Sequence, residues 1–153
     1  MQTIEVDPDP DIWVQVADAT NPINVECVKT WVDAARHENQ GTICVRFVGE
    51  CEGRLLNRQF RNIDSATNVL SFEARESGIL GDIAICVPVA ENEAREQQKP
   101  LVDHLAHLVV HGTLHLCGFD HETSNEAMKM ESKEISVLRS LGFGNPYTNH
   151  GCD

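Results

Sequence analysis

The segment HGTLHLCGFDH, residues 111–121, places three histidines at relative positions 0, 4 and 10, with a glycine at position 7. This spacing restricts the fold more than any other stretch, because the three imidazoles act together only in one local shape. On an α-helix, residues four apart project from one face about a turn apart, so His111 and His115 can reach a single ion. Gly118 is free to take positive φ and end the helix, which lets the chain double back and bring His121 to the same point. Three imidazoles with a fourth position open is the coordination of a catalytic zinc, whereas a structural zinc fills all four positions with protein ligands.

The same helix carries His104 and His107, and His107, His111 and His115 fall at i, i+4 and i+8. A row of half-buried side chains would produce that stripe without a metal, so a histidine pair alone does not separate the two readings. The third histidine beyond a helix-stopping glycine favours His111, His115 and His121 as the ligands and leaves His104 and His107 as helix-face or core residues. Cys117, two residues after His115, reads as a small apolar filler beside Leu116 rather than a ligand. His150, in the C-terminal loop, is read as irrelevant to the site.

The 153 residues suffice for one domain, 1–153, with no room for a second of ordinary size. An apolar share of 41% supports an ordinary globular core. No run of about 18 apolar residues exists that would span a membrane. The start, MQTIEVDPDPDIW, lacks the basic end and apolar stretch of a signal peptide, so a cytoplasmic protein is expected. Six cysteines without a C-x-x-C pair are expected to be free thiols, mostly buried, in a reducing compartment. The net charge of −12 argues against a general affinity for polyanions, so neither DNA nor a membrane is an expected partner. A local basic groove remains open: RLLNRQFRN, residues 54–62, holds Arg54, Arg58 and Arg61 without an acid, either as a solvated helix face or as an anion site.

The order of elements predicts an α+β fold, a small mixed sheet of about four strands against about five helices. TIEV near the N-terminus and TICVRFVG, residues 42–49, read as strands, and INVECVKTWVDAARHE between them carries Ile23, Val28, Trp31, Val32 and Ala35 near helical spacing. CEGRLLNRQFR reads as a helix and ATNVLSFEA as a long strand. After a turn at ESGILGD, DIAICVPVA reads as a strand, with Pro88 placed for the first turn of a helix through AENEAREQQK. LVDHLAHLVVHGTLHL is the histidine helix; its interior Gly112 costs about 1 kcal/mol against alanine, so a neighbour is expected to need the space. TSNE, residues 123–126, is a capping box opening a last helix with Ala127, Met130, Ile135, Leu138 and Leu141 on its apolar face and Gly142 past its end.

The histidine spacing coincides with the H-E-x-x-H-x-x-G-x-x-H signature of metzincin proteases, with one departure. In those enzymes the glutamate after the first histidine is the general base, and here that position is Gly112. A metalloprotease-like hydrolase is therefore the weaker alternative. A bound metal still polarises an anionic oxygen and lowers the pKa of water to about 7, and a phosphodiester is the substrate whose charge most needs such help.

Four blocks, LNRQFRNIDSATNVLSF (56–72), LGDIAICVPVAENEA (80–94), HLVVHGTLHLCGFDH (107–121), and EAMKMESKEI with LGFGNPY, resemble the YbeY family of metal-dependent endoribonucleases. They cover roughly residues 55–147, while the first 50 match only in their order of elements. Phe119 stands where that family commonly has tyrosine.

The resemblance implies a single-strand-specific, zinc-dependent endoribonuclease of ribosomal RNA processing (16S rRNA 3′-end maturation) and ribosome biogenesis. It implies one zinc on His111, His115 and His121, and Arg61 as the active-site arginine acting with a zinc-bound water. Arg61 is then expected to hold the scissile phosphate while the zinc-bound hydroxide attacks it or deprotonates the 2′-hydroxyl; both routes stay open. Thr67, Asn68 and Ser71 are candidates to bond substrate or a ligand imidazole, or equally to be ordinary strand residues. Asp120 either orients a ligand imidazole or caps the turn. Asp82 is read as structural, and Glu131 and Glu134 as a solvated or helix-anchoring face. The expected partners are single-stranded and ribosomal RNA, with ribosomal or assembly proteins bringing an acidic chain to it. A non-catalytic, zinc-stabilised ribosome-assembly factor is the reading from a different class.

Overall fold

The computed structural model describes residues 11–17, 23–37, 39–74 and 78–147. In chain order these form β1 (Ile12–Val16), α1 (Val25–Arg36), β2 (Thr42–Val48), α2 (Glu50–Arg61), β3 (Val69–Glu73), β4 (Ile79–Cys86), α3 (Val87–Glu96), α4 (Leu101–Leu116) and α5 (Ser124–Ser140). The sheet runs β1-β2-β4-β3, with β1 and β4 parallel to β2 and β3 antiparallel to β4 at one end. The strand expected at TIEV lies outside the described residues, as do Cys152 and His150.

Strand alternation divides the sheet into two faces. Val45 pairs with Ile83 and Phe47 with Ile85, and all four are buried. They share one apolar core with Val28, Trp31 and Val32 of α1, Leu105, Val109 and Leu114 of α4, and Met130 and Leu138 of α5. The opposite face carries Arg46, Ala84 and Cys86, and α2 covers it. The Arg46 guanidinium makes two bonds to the Glu52 carboxylate, at 2.7 and 3.1 Å, and donates to Gln15 Oε1 at 3.1 Å. Only Gly53 and Asn57 of α2 are buried, so this helix lies lightly on the sheet and presents most of its surface outward.

Helix starts follow local chemistry. The Asn24 side chain accepts from the backbone N–H of Cys27 at 3.1 Å and caps α1. Thr123 and Glu126 make both reciprocal bonds of a capping box at 3.1 Å, setting the start of α5. Several boundaries differ from the sequence reading. Strand β4 begins at Ile79, inside the segment read as a turn, because β2 and β3 both pair with it there. It ends at Cys86, where Val87 and Pro88 open α3: the proline ring lacks an N–H and has its φ preset, so it fits a first helical turn and not a continuing strand. β3 is also shorter than the stretch ATNVLSFEA suggests. Of the described cysteines only Cys86 is buried, fewer than expected; Cys51 is exposed and Cys27, Cys44 and Cys117 are half-buried.

Gly112 is where α4 comes closest to the sheet. A Cβ there would sit 3.0 Å from Ile83 Cγ2 and 3.2 Å from Ser71 Oγ, two side chains that are register partners on β4 and β3. Ile83 is itself locked in the core, so the helix accepts a glycine in its interior in exchange for this approach. The same contact explains why no general-base carboxylate follows His111. That position faces the sheet, and a glutamate would have to displace Ile83 or Ser71.

Candidate metal centre and its cleft

The last turns of α4 project His111 and His115 past the edge strand β3. Cys117 and Gly118 close the helix, the N–H of Phe119 returning to the carbonyl of Leu114 at 3.0 Å. Gly118 has φ +103°, a conformation that side chains with a Cβ rarely adopt, and it reverses the chain. Asp120 Oδ1 accepts from the backbone N–H of His121 at 2.8 Å, which holds the reversed segment and makes Asp120 a turn residue. His121 thereby faces the helix pair. Ring centroids are 4.8 Å apart for His111–His115, 4.9 Å for His115–His121 and 5.7 Å for His111–His121.

The three residues fit a divalent ion: one ring nitrogen from each lies within 4.8 Å of the others. Burial, then the proximity of His111 and His121, pushes the His115 imidazole below its ordinary range, leaving it neutral with a lone pair to donate. A set of three imidazoles suits zinc and several other first-row metals. Cys117 stays outside the cluster, and burial raises its thiol above the usual range, away from the thiolate a ligand needs.

Behind the triad lies a carboxylate that the sequence reading assigned to a solvated or anchoring helix face. Glu134 of α5 is fully buried, and its Oε2 lies 2.5 Å from His111 Nδ1 and 3.5 Å from His107 Nε2. Tyr147 donates its hydroxyl to the other oxygen, Oε1. Burial alone would raise the Glu134 carboxyl, but hydrogen bonds from His107, His111 and Tyr147 outweigh it and hold the pKa at about 2. Burial, then the bond to Glu134, pushes the Tyr147 phenol up, so it remains a donor. An ionised carboxylate only accepts, so His111 carries its proton on Nδ1 and presents Nε2 to the triad. His107, His111 and Glu134 could themselves group around an ion, but both Glu134 oxygens are already engaged and closed off from solvent. The open set is His111, His115 and His121. The signal for Glu134 was present in the helical spacing: it stands four residues after Met130 and four before Leu138, both core residues. Replacing Glu134 with glutamine is expected to weaken metal affinity by about 10- to 100-fold, measured by competition with a chelator, with the fold retained.

The triad opens into a cleft of about 240 Å³ whose walls include Arg61 from the end of α2 and Asn68, Val69, Ser71 and Glu73 from the β3 strand and its approach. The three clustered arginines have different fates. Arg54 makes a two-bond pair with Asp64 at 2.8 and 2.9 Å, and Arg58 lies 3.7 Å from the same carboxylate. Arg61, lining the cleft, has no ion pair among the described residues. Asn62, at φ 59°, ends α2, and Asn57 ties the following loop through a 2.7 Å bond to the Ser65 carbonyl.

The remaining candidates separate by contact. Ser71 donates to the Gly112 carbonyl at 3.3 Å, bracing α4 on β3 while lining the cleft. Asn68 lines the cleft and donates Nδ2 to Glu93 of α3 at 3.1 Å. Thr67 is half-buried and is not among the residues lining the cleft.

The family model described as Endoribonuclease YbeY matches residues 14–142. The Endoribonuclease YbeY of Aromatoleum aromaticum is 54% identical over 121 residues, covering 78% of this chain and 78% of that protein. That of Cupriavidus pinatubonensis is 50% identical over 123 residues, covering 78% of this chain but only 61% of its own length. The match to Burkholderia ambifaria is 46% over 147 residues, covering 90% of this chain and 83% of that protein. Among solved structures, that of TM1509 from Thermotoga maritima superposes with a TM-score of 0.60 at 26% identity, covering 90% of this chain and 99% of the other. With the fold, the histidine triad and these matches in agreement, the chain belongs to the YbeY family.

Proposed function

We propose that this chain is a zinc-dependent endoribonuclease that cleaves single-stranded RNA during ribosomal RNA processing in the cytoplasm. The observation that carries this reading is one cleft in which an arginine without an ion-pair partner among the described residues faces three converging imidazoles. His111, His115 and His121 would hold the metal, which when bound polarises a phosphate oxygen and acidifies water. Arg61 offers a two-pronged fork to the scissile phosphate and balances the charge that grows on it. Glu134 and Tyr147 keep His111 in the ligating tautomer. Cleft entry favours a single strand, since a phosphate has to bend into a recess behind the β3 edge. The net charge of −12 gives the protein surface little general attraction for RNA, so ribosomal or assembly proteins are the expected carriers. The name Endoribonuclease YbeY on the relatives supports the activity, and no helix among the described residues is long and apolar enough to cross a membrane.

The test uses purified, untagged protein and a single-stranded fragment of ribosomal RNA, with the DNA strand of the same sequence as control. Cleavage of RNA alone, lost on chelation and restored by zinc, is the expected result. RNA binding without metal-dependent cleavage would reject the enzyme and leave the assembly-factor reading.

A further inference from the structure

Asn68 is held from behind by a chain of polar side chains. Its Nδ2 lies 3.1 Å from Glu93 Oε1 and 3.3 Å from Oε2, and His104 Nε2 lies 2.8 Å from the same Oε1. His104, on α4, is only 3% exposed. Its Nδ1 is buried and has no hydrogen-bond partner among the described residues, as suits a bare lone pair, so the proton sits on Nε2 and points at the carboxylate. Burial, opposed in part by the bond to Glu93, also keeps this imidazole below its ordinary pKa range and neutral. A carboxylate accepts only, so the Asn68 amide cannot flip: Nδ2 faces Glu93 and Oδ1 faces the other way. No donor in the described structure bonds Oδ1, and Asn68 lines the cleft shared with Arg61 and the histidines.

The geometry points to Asn68 Oδ1 as the acceptor for the ribose 2′-hydroxyl beside the scissile phosphate, with Glu93 and His104 as positioning residues that lock the amide in the accepting orientation. The chemistry selects the ligand group. Phosphate, ester and ring oxygens near a phosphodiester are acceptors only; the 2′-hydroxyl is the nearby donor, and it distinguishes RNA from DNA. A fixed acceptor beside a cationic phosphate site therefore reads the sugar. This inference rests on the nuclease reading above and adds a sugar-recognition role to Asn68.

The test compares wild type, Asn68→Ala, Glu93→Ala and Glu93→Gln, all zinc-loaded and matched for metal content and thermal midpoint. Two readouts are taken: kcat/KM on a single-stranded ribose oligonucleotide, and the inhibition constant of the same sequence made wholly of 2′-deoxyribose. Asn68→Ala is expected to lower kcat/KM on the ribose strand by roughly threefold to tenfold, the weight of one hydrogen bond, and to leave inhibition by the deoxyribose strand unchanged. Glu93→Ala should show the same split. Glu93→Gln, which keeps an acceptor oxygen for both Asn68 and His104, should restore most of the ribose rate. Equal losses on both strands, or no loss on the ribose strand, would overturn the assignment. If wild type fails to cleave RNA at all, the nuclease reading falls and this inference with it.

Discussion

Replacing His115 with alanine is expected to take the protein from about one metal ion per chain to nearly none, and RNA cleavage with it by at least about 100-fold. The triad is minimal: two imidazoles four residues apart on α4 and a third delivered by the turn at Gly118. Removing the middle ring, 4.8 Å from one partner and 4.9 Å from the other, leaves two donors and no means of closing the site. The side chain is half-buried at the cleft wall rather than in the core, so the fold is expected to survive. Mass spectrometry of the untagged protein and a cleavage assay on the same samples read the two effects together. Metal content and cleavage both unchanged would show that these histidines belong to the fold and not to a site.

Arg61→Ala is expected to leave metal content and thermal stability as they were and to lower cleavage by about 10²- to 10³-fold, the usual cost of removing a donor aimed at developing charge. The separation of effects is the informative part. Arg61 is exposed at the end of α2, whereas Arg54 and Arg58 already spend their charge on Asp64. Arg54→Ala and Arg58→Ala are the natural controls and should lose far less activity. Arg61→Lys should recover only part of the rate, because an ammonium keeps the charge but not the planar fork. Full activity in Arg61→Ala would move phosphate binding to another group in the cleft.

Glu134 and Gly112 mark the two ways in which sequence reasoning met this fold. At Gly112, a local rule was broken in a strongly helical segment, and the breach pointed to a close neighbour that the structure supplies in Ile83 and Ser71. At Glu134, the reading left a solvated face and a helix-anchoring one open, and the core spacing from Met130 to Leu138 was the overlooked signal for the second. Its partners His107, His111 and Tyr147 lie 27, 23 and 13 residues away along the chain, so nothing short of docking α5 on α4 reveals that they meet. Asn68, Glu93 and His104 are a similar case, drawn from three separate segments.

Features that local physics enforces are legible in the amino-acid order. Apolar periodicity set most helices and strands, caps set where α1 and α5 begin, and the 0, 4, 10 histidine spacing with Gly118 specified a three-imidazole cluster before any tertiary contact was known. Arg61, already singled out by the family resemblance, lines the cleft, but which carboxylate stands behind the cluster and which way the Asn68 amide points emerge only from the packed fold. The two kinds of feature differ in range. Backbone propensities and i, i+4 geometry act within a turn or two and are written into consecutive residues. Hydrogen-bond partners, burial and charge pairing depend on which distant segments the packed core brings together.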